Sequence, residues 1–174
     1  RDKTGVVPQK SVLFKGTLRD NMRWGKQDAS DEEIYRALDT AQAREFVDSK
    51  GEGLDLYIDQ GGHNLSGGQR QRLTIARALV RRPEILIMDD SASALDFATD
   101  ARLRKAIREN TGDMTVFIVS QRATTIKSAD TILVLDEGRL AGMGTHKELL
   151  KDCQVYREIC LSQLSKEEVE RDEQ

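Results

Sequence analysis

The chain has 174 residues, a formal net charge of −3, and 33% charged residues, enough for one domain with a core or for a domain plus a small lobe. The acidic balance excludes the basic footprint of a nucleic-acid-binding domain. Apolar runs reach four residues at most, whereas a helix that crosses a bilayer needs about 20. Two cysteines, Cys153 and Cys160, indicate a reducing compartment rather than a disulfide framework.

Five short apolar segments predict β-strands along the chain. They are residues 5–8, 85–89, 114–120, 131–136 and 139–143. Runs of Ile, Val and Leu without alternation are typical of strands that are buried on both faces of a parallel sheet. Because helical patterns separate most of them, the sequence predicts an α/β fold in which helices cover a parallel sheet.

Two helices begin at recognisable capping signals. Ser30 with Glu33, and Thr145 with Glu148, have the S/T-x-x-E spacing of a capping box. A further amphipathic helix is predicted over residues 98–110, between the second and third strands.

The strands and helices divide the chain into four segments. Residues 28–82 contain helical patterns, the last of which is ended by Pro83, and no clear strand, which predicts a helical subdomain inserted into the α/β part. The predicted segments are 1–27 and 83–165 for the two portions of the α/β core, 28–82 for the helical subdomain, and 166–174 for an acidic, solvated tail.

The stretch NLSGGQRQR, residues 64–72, places a serine and two glycines directly before an amphipathic helix. Gly67 and Gly68 allow backbone N–H groups to approach an anion, and the helix N-terminus favours negative charge. Ser66 adds a hydroxyl donor. Taken alone, an ordinary loop at a helix start explains this stretch equally well.

The strand 85–88 ends in two adjacent carboxylates, Asp89 and Asp90. Ligands of open α/β sheets bind at the carboxyl ends of strands, where a carboxylate can hold Mg²⁺ in a phosphoryl-transfer site. Taken alone, acidic residues at a solvent-exposed strand end account for the pair at least as well.

Five stretches in one order nevertheless resemble a known family. The chain is similar to the ATP-binding domain of ABC transporters, and its stretches LFKGTLRDNMRWG and DEGRLAGMGTHKELL look like the exporter branch. The resemblance implies a partial RecA-like P-loop NTPase core with an inserted helical signature subdomain. The matching stretches are VVPQ (6–9), LSGGQ (65–69), ILIMDD (85–90), SALD (93–96) and GTHKELL (144–150).

The resemblance implies a role for each matching position. Gln9 matches the Q-loop glutamine, which contacts Mg²⁺ or the attacking water. Asp89 matches the aspartate that holds Mg²⁺ at the end of the Walker B strand, and Asp96 the D-loop aspartate at the dimer interface. Phe14 and Trp24 lie near the position where the family docks its membrane domain, although a packing role is an equally good interpretation.

The signature residues act on a different ATP. Ser66, Gly67, Gly68 and Gln69 match the family's signature, which clamps the γ-phosphate of an ATP that the opposite subunit holds. The resemblance therefore implies ATP and Mg²⁺ as cofactors and a second nucleotide-binding domain as partner.

Three departures from the family pattern limit what this chain is expected to do. The sequence contains no G-x-x-x-x-G-K-[ST] phosphate-binding loop, which we interpret as truncation upstream of Arg1, so that this fragment alone is expected to be inactive. Asp90 stands where the family has its catalytic glutamate, and Gln121 stands where it has the switch histidine. A glutamine amide can donate a hydrogen bond but cannot carry or release a proton near neutral pH.

These departures predict a specialised subunit. We expect the site that contains Asp90 and Gln121 to be degenerate, while the signature completes the hydrolytic site of a different partner in a heterodimeric exporter of drugs or lipids. The membrane domain is expected to be fused upstream, with this domain at the cytoplasmic face of the cell membrane. The alternatives are a regulatory ATP-binding module that gates a membrane partner without hydrolysis, and, less favoured by the acidic balance, a soluble ATPase that acts on DNA or ribosomes.

Overall fold

The computed structural model describes residues 3–91 and 94–173, and the chain divides into two compact units after Val119. The division falls inside the predicted core segment 83–165. In the first unit the elements are β1 (Thr4–Val7), β2 (Gly16–Thr17), α1 (Leu18–Arg23), α2 (Asp31–Thr40), α3 (Arg44–Ser49), β3 (Tyr57–Ile58), α4 (Gly67–Leu79), β4 (Ile85–Asp89), α5 (Phe97–Asn110) and β5 (Thr115–Val119), with single 3₁₀ turns at Gly53–Asp55 and Gln60–Gly62.

A three-stranded parallel sheet forms the α/β part of the first unit. The strand order is β1-β4-β5, with Val7 paired to Met88 and Met88 paired to Ile118. The parallel sheet and the bounds of β4 are confirmed. Since parallel strands end at the same edge, this register carries Gln9 and Asp90 to one edge of the sheet.

The prediction that these strands are buried on both faces is wrong for the described residues. Leu86 and Met88 of β4 join the core of the first unit with side chains of α4 and α5. On the other face Val6, Phe117 and Val119 are each more than half exposed. Alternation between buried and exposed positions follows from the two-residue period of a strand when helices cover only one of its faces.

Helices dominate residues 28–82, and the segment also contains a strand. Tyr57–Ile58 pairs in antiparallel fashion with Gly16–Thr17, outside the predicted segment. Two-residue strands leave no periodic pattern in a sequence, so the sequence does not predict them. The predicted capping box of α2 is confirmed, because Ser30 Oγ accepts from the Glu33 amide and the Glu33 carboxylate accepts from the Ser30 amide.

The second unit contains a hairpin and four helices among its described residues. They are α6 (Ala123–Ile126), β6 (Ile132–Asp136), β7 (Arg139–Gly144), α7 (His146–Asp152), α8 (Gln154–Gln163) and α9 (Lys166–Glu173). β6 and β7 pair with each other in antiparallel fashion and form a hairpin. The turn at Glu137 and Gly138, with φ of 45° and 75°, has the positive φ values that suit a tight hairpin.

Residues 166–173 form a helix where a solvated tail was expected. Val169 is buried in the core of the second unit, and Asp172 accepts hydrogen bonds from Lys127 Nζ at 3.3 Å and from the His146 ring at 3.4 Å. Ser165 and Glu168 form a capping box at the helix start, a signal that the acidic composition obscured. Among the described residues, no helix of either unit has the length and apolar character needed to cross a bilayer.

Candidate functional site

Helix α4 begins at the LSGGQ stretch with its N-terminal groups arranged by a capping box. Ser66 is the N-cap: its Oγ accepts from the Gln69 amide at 3.2 Å, and Gln69 Oε1 accepts from the Ser66 amide at 2.9 Å. In an α-helix the first N–H groups have no acceptor within the helix, so those of Gly67 and Gly68 remain directed out of the helix end. The Ser66 hydroxyl uses a lone pair in the cap and keeps its proton for a further acceptor.

The same helix start lies against the stretch that precedes α5. A methyl group on Gly68 would lie 3.3 Å from the Ala94 carbonyl oxygen, tighter than an ordinary contact, so glycine allows the two backbones to approach. Asp96 then caps α5, where its carboxylate accepts from the Thr99 amide at 2.9 Å. That hydrogen bond holds the pKa of Asp96 below its ordinary value of 3.8. Ser93, the first residue of SALD, lies outside the described residues.

Two arginines of NLSGGQRQR fix the loops around the signature, a role that the sequence analysis missed. Arg70 donates to the Leu65 carbonyl at 2.6 Å, directly before Ser66. Arg72 donates to the Gln42 carbonyl at 2.6 Å and lies over the ring of Phe46. Burial lowers the pKa of Arg72. Arg70 therefore holds the signature loop and Arg72 holds the loop at Gln42, each through a backbone carbonyl. Their i, i+2 spacing explains why they point to different loops.

The carboxyl end of β4 presents the paired aspartates differently from each other. Asp89 is exposed at the strand end, whereas Asp90 is half-buried and adopts a φ of 42°, a left-handed conformation that non-glycine residues seldom adopt. The Asp90 amide donates to the Val119 carbonyl at 2.8 Å, and Gln9 Nε2 lies 3.4 Å from Asp90 Oδ2. At that length the Gln9–Asp90 hydrogen bond is a weak one. Backbone strain of this kind is concentrated at functional sites.

The described residues can supply Mg²⁺ with oxygen ligands but not with a complete cage. No group of three or more His, Cys, Asp or Glu side chains converges in the described ranges. Proteins usually hold Mg²⁺ through one or two carboxylates together with the phosphates of a nucleotide. The exposed Asp89 carboxylate and the Gln9 amide oxygen, which the contact with Asp90 leaves unused, fit that donor set.

The structure brings some of the predicted site residues together within the first unit. Gln9 meets Asp90, and the signature meets the stretch before Asp96. Gln121 belongs to the second unit, where it is exposed just before α6 and its carbonyl accepts from Gln163 Nε2 at 2.7 Å. The contact with Gln163 holds the backbone of this segment.

An exposed aromatic pair lies on the first unit, on the segment that follows Gln9. The rings of Phe14 and Trp24 are 4.9 Å apart, and Trp24 is 70% exposed. Arg77 of α4 donates to the Val12 carbonyl at 2.9 Å, and its guanidinium group stacks on the Phe14 ring. Burial lowers the pKa of Arg77. The arrangement leaves two exposed aromatic side chains beside a partly desolvated cation.

Comparison with known proteins identifies the family. Residues 1–93 match the family described as ABC transporter. The chain belongs to this family. It is 47% identical over 162 residues to an uncharacterized ABC transporter ATP-binding protein of Mycobacterium tuberculosis, covering 91% of this chain and 28% of that protein.

Two further relatives carry more specific names. A probable multidrug resistance ABC transporter ATP-binding/permease protein of Bacillus subtilis is 46% identical over 154 residues, covering 88% of this chain and 26% of the relative. A mitochondrial potassium channel ATP-binding subunit of Rattus norvegicus is 41% identical over 155 residues, covering 89% of this chain and 22% of the relative. The ABC domain described here thus spans less than a third of the length of the curated relatives that it matches.

A solved structure gives the same assignment. A bacterial Atm1-family ABC exporter with ATP bound matches with a TM-score of 0.91 and 38% identity, covering 95% of this chain and 29% of the exporter chain. The fold is therefore the RecA-like α/β fold of an ABC exporter nucleotide-binding domain, with its helical subdomain, as the sequence predicted.

Proposed function

We propose that this chain is the ATP-binding and ATP-hydrolysing part of an ABC exporter subunit, which couples ATP binding and hydrolysis to transport across a membrane. The observation that carries the proposal is the start of α4. There the Ser66 hydroxyl and the amides of Gly67 and Gly68 form an anion-binding end. The relatives named ATP-binding proteins and the exporter with ATP bound support ATP as the ligand.

We further propose that the site to which Asp90 contributes is weak. Aspartate is shorter than glutamate by one C–C bond, about 1.5 Å, so its carboxylate stops short of the water that a glutamate would polarise. A displacement of a catalytic group by about 1 Å can reduce a rate on the order of 10²-fold. The contact between Asp90 and Gln9 directs the carboxylate toward the Q-loop side chain. Gln121, in place of a histidine, supplies a hydrogen bond but cannot act as an acid or a base near pH 7.

The intact signature points to a partner with complementary features. In the family, each ATP lies between the strand and phosphate loop of one domain and the signature of the other. By the family pattern, the positions of Asp90 and Gln121 act on one ATP, and the positions of Ser66 to Gln69 act on the other. We propose that this chain pairs with a different ABC domain, whose own ATP is hydrolysed at the signature described here.

The exposed aromatic pair is the proposed contact with the membrane domain. Two exposed aromatic rings next to a partly buried arginine suit an amphipathic helix. Its aromatic or aliphatic side chains would pack on the rings, and a backbone carbonyl would accept from the arginine. Placement of such a helix here would hold the domain at the cytoplasmic face of the membrane. The competing explanation is that Phe14 and Trp24 pack only on each other. Substitution of Trp24 separates the two explanations, because it should impair assembly with the membrane domain only if the pair contacts that domain.

Two substitutions in the complete exporter, assembled with its partner, test the assignment of the two sites. Ser66→Ala is expected to reduce ATP turnover strongly, since it alters the competent site, whereas Asp90→Asn is expected to change it little. As a gain-of-function counterpart, Asp90→Glu combined with Gln121→His is expected to raise turnover when the partner's own catalytic glutamate has been replaced by Gln. Equal, large losses from Ser66→Ala and Asp90→Asn would contradict the degenerate-site assignment.

A second function is supported by one of the relatives. The potassium channel ATP-binding subunit of Rattus norvegicus, 41% identical, is named for a channel rather than for an exporter. A regulatory module of that kind would bind ATP and gate a membrane partner without useful hydrolysis. Turnover at the background level in the assembled protein, together with ATP-dependent conductance, would favour this function over export.

A further inference from the structure

The segment that follows Gln9 is fastened to helix α4 at two points. The Ser11 hydroxyl and Gln71 Oε1 form a short hydrogen bond, and Arg77 Nη2 donates to the Val12 carbonyl at 2.9 Å. These two α4 positions lie six residues apart, about 9 Å along the helix axis. We name residues 9–14 the Q-segment; its middle is therefore attached to α4 at Ser11 and Val12.

The other end of the Q-segment touches the sheet. Gln9 comes two residues before Ser11, and its Nε2 lies 3.4 Å from Asp90 Oδ2 at the end of β4. Ser66, the N-cap of α4, lies five residues or about 7.5 Å before Gln71 along the helix axis. The Q-segment thus connects the strand end that carries Asp90 to the helix that carries the signature.

Gln71 is an unexpected residue at the point of attachment. Its side chain is 2% exposed, and its Nε2 atom has no hydrogen-bond partner among the described residues. A buried donor that lacks a partner is unfavourable, and an apolar side chain of the same length would fill the position without that cost. Packing alone therefore does not account for glutamine here, whereas the hydrogen bond to Ser11 does.

We infer that Gln71 is a positioning residue: its hydrogen bond to Ser11 makes the placement of Gln9 at Asp90 and the placement of Ser66 at the start of α4 depend on each other. The inference rests on the proposed function, because it assigns the link a role in turnover. It adds that the site containing Asp90 influences the signature which acts on the partner's ATP. Rigid secondary-structure elements can carry coupling of this kind, and α4, a continuous helix of 13 residues, is such an element.

Turnover kinetics of the complete exporter provide the first test. Ser11→Ala and Gln71→Met are each expected to lower kcat by about fivefold or more, the lower end of ordinary coupling effects. KM for ATP is expected to stay within about twofold, since neither side chain contacts nucleotide in the proposal. The double variant is expected to be no worse than either single variant, because both remove the same hydrogen bond.

Two controls separate positioning from a loss of packing. Ser11→Thr keeps the hydroxyl and is expected to turn over ATP at close to the rate of the unsubstituted protein. Thr74→Val removes another buried hydroxyl of α4, which donates to the Arg70 carbonyl of the same helix at 2.9 Å, and is expected to leave kcat unchanged. If Gln71→Met fails to fold, the comparison of Ser11→Ala with Ser11→Thr carries the test by itself.

Hydrogen exchange gives a second readout that needs no turnover. In the complete exporter, Gln9→Ala is expected to accelerate exchange in a peptide covering residues 64–72, and this acceleration is expected to disappear in the Ser11→Ala background. Additive losses of kcat, a Ser11→Thr variant as slow as Ser11→Ala, or the same exchange response with and without the Ser11 hydroxyl would overturn the inference. Absent ATP turnover in the unsubstituted exporter would refute the proposed function instead, and the exchange experiment would still test the link.

Discussion

Replacement of Ser66 by alanine separates the structural role of the signature serine from its proposed catalytic one. Ser66 caps α4 and Ser30 caps α2, both in the first unit, and each Oγ accepts from the amide three residues later at 3.2 Å. Both caps are reciprocated by the side chain at that third position. Ser30→Ala is therefore a matched control: the same atoms are removed from the same hydrogen-bond pattern, away from the signature.

The two variants are expected to lose the same stability and different amounts of activity. Loss of a serine cap costs about 1 kcal/mol, within a range of roughly 0.5–2, so each should lower the free energy of unfolding by about this amount. In the proposal, the Ser66 hydroxyl also donates to a phosphate. A hydrogen bond to a charged group contributes about 1.5–3 kcal/mol, which corresponds to roughly 10- to 150-fold in rate.

Urea denaturation followed by circular dichroism measures the first quantity, and ATP turnover of the exporter assembled with its partner measures the second. We expect the variants to agree in unfolding free energy to within about 0.5 kcal/mol, the usual spread for equivalent surface changes. Turnover should be close to normal for Ser30→Ala and at least about tenfold lower for Ser66→Ala. Equal turnover of the two variants would refute the idea that Ser66 acts on nucleotide.

Three further predictions concern stability. Gly25→Ala should lower the unfolding free energy by about 3 kcal/mol or more, because the added methyl would lie 2.1 Å from the Arg77 carbonyl oxygen; urea denaturation measures the loss. Acid titration of stability should show a contribution from Asp96, whose pKa the Thr99 amide holds below 3.8: the stabilisation is present above pH 3.8 and is lost as the pH falls through the lowered value. Asp96→Asn, which keeps a capping oxygen, should flatten that part of the curve. Val169→Ala should cost about 1.5 kcal/mol, since it removes two buried methyl groups from the second core, and thermal unfolding checks it.

Each of these predictions has a control within the chain. Gly67→Ala adds a methyl whose nearest neighbour would be 3.9 Å away, so it should be tolerated where Gly25→Ala is not. Glu170 is exposed next to Val169, and Glu170→Ala should change stability by less than about 0.5 kcal/mol. An acid titration that is unchanged by Asp96→Asn would show that the Thr99 contact does not persist in solution.

Local signals were sufficient to predict most of the secondary structure. The capping box at Thr145 and Glu148 is confirmed, the bounds of β4 are confirmed, and Pro83 follows the end of α4, because each of these features is determined by neighbours within about four residues. The helix at Lys166–Glu173 was missed for a related reason: its single buried side chain, Val169, carries too weak a periodic signal among acidic residues.

The sequence by itself determined the family, the helix starts and the chemical types at the candidate site, since motif spacing and capping depend on the order of residues along the chain. Only the tertiary structure decided which sheet face is covered, that β6 and β7 form their own hairpin, and that Gln9 meets Asp90 while Ser11 meets Gln71. Both of these contacts join residues at least 60 positions apart. No local pattern specifies such pairs, because they exist only once the register of the sheet and the packing of α4 have brought distant side chains together.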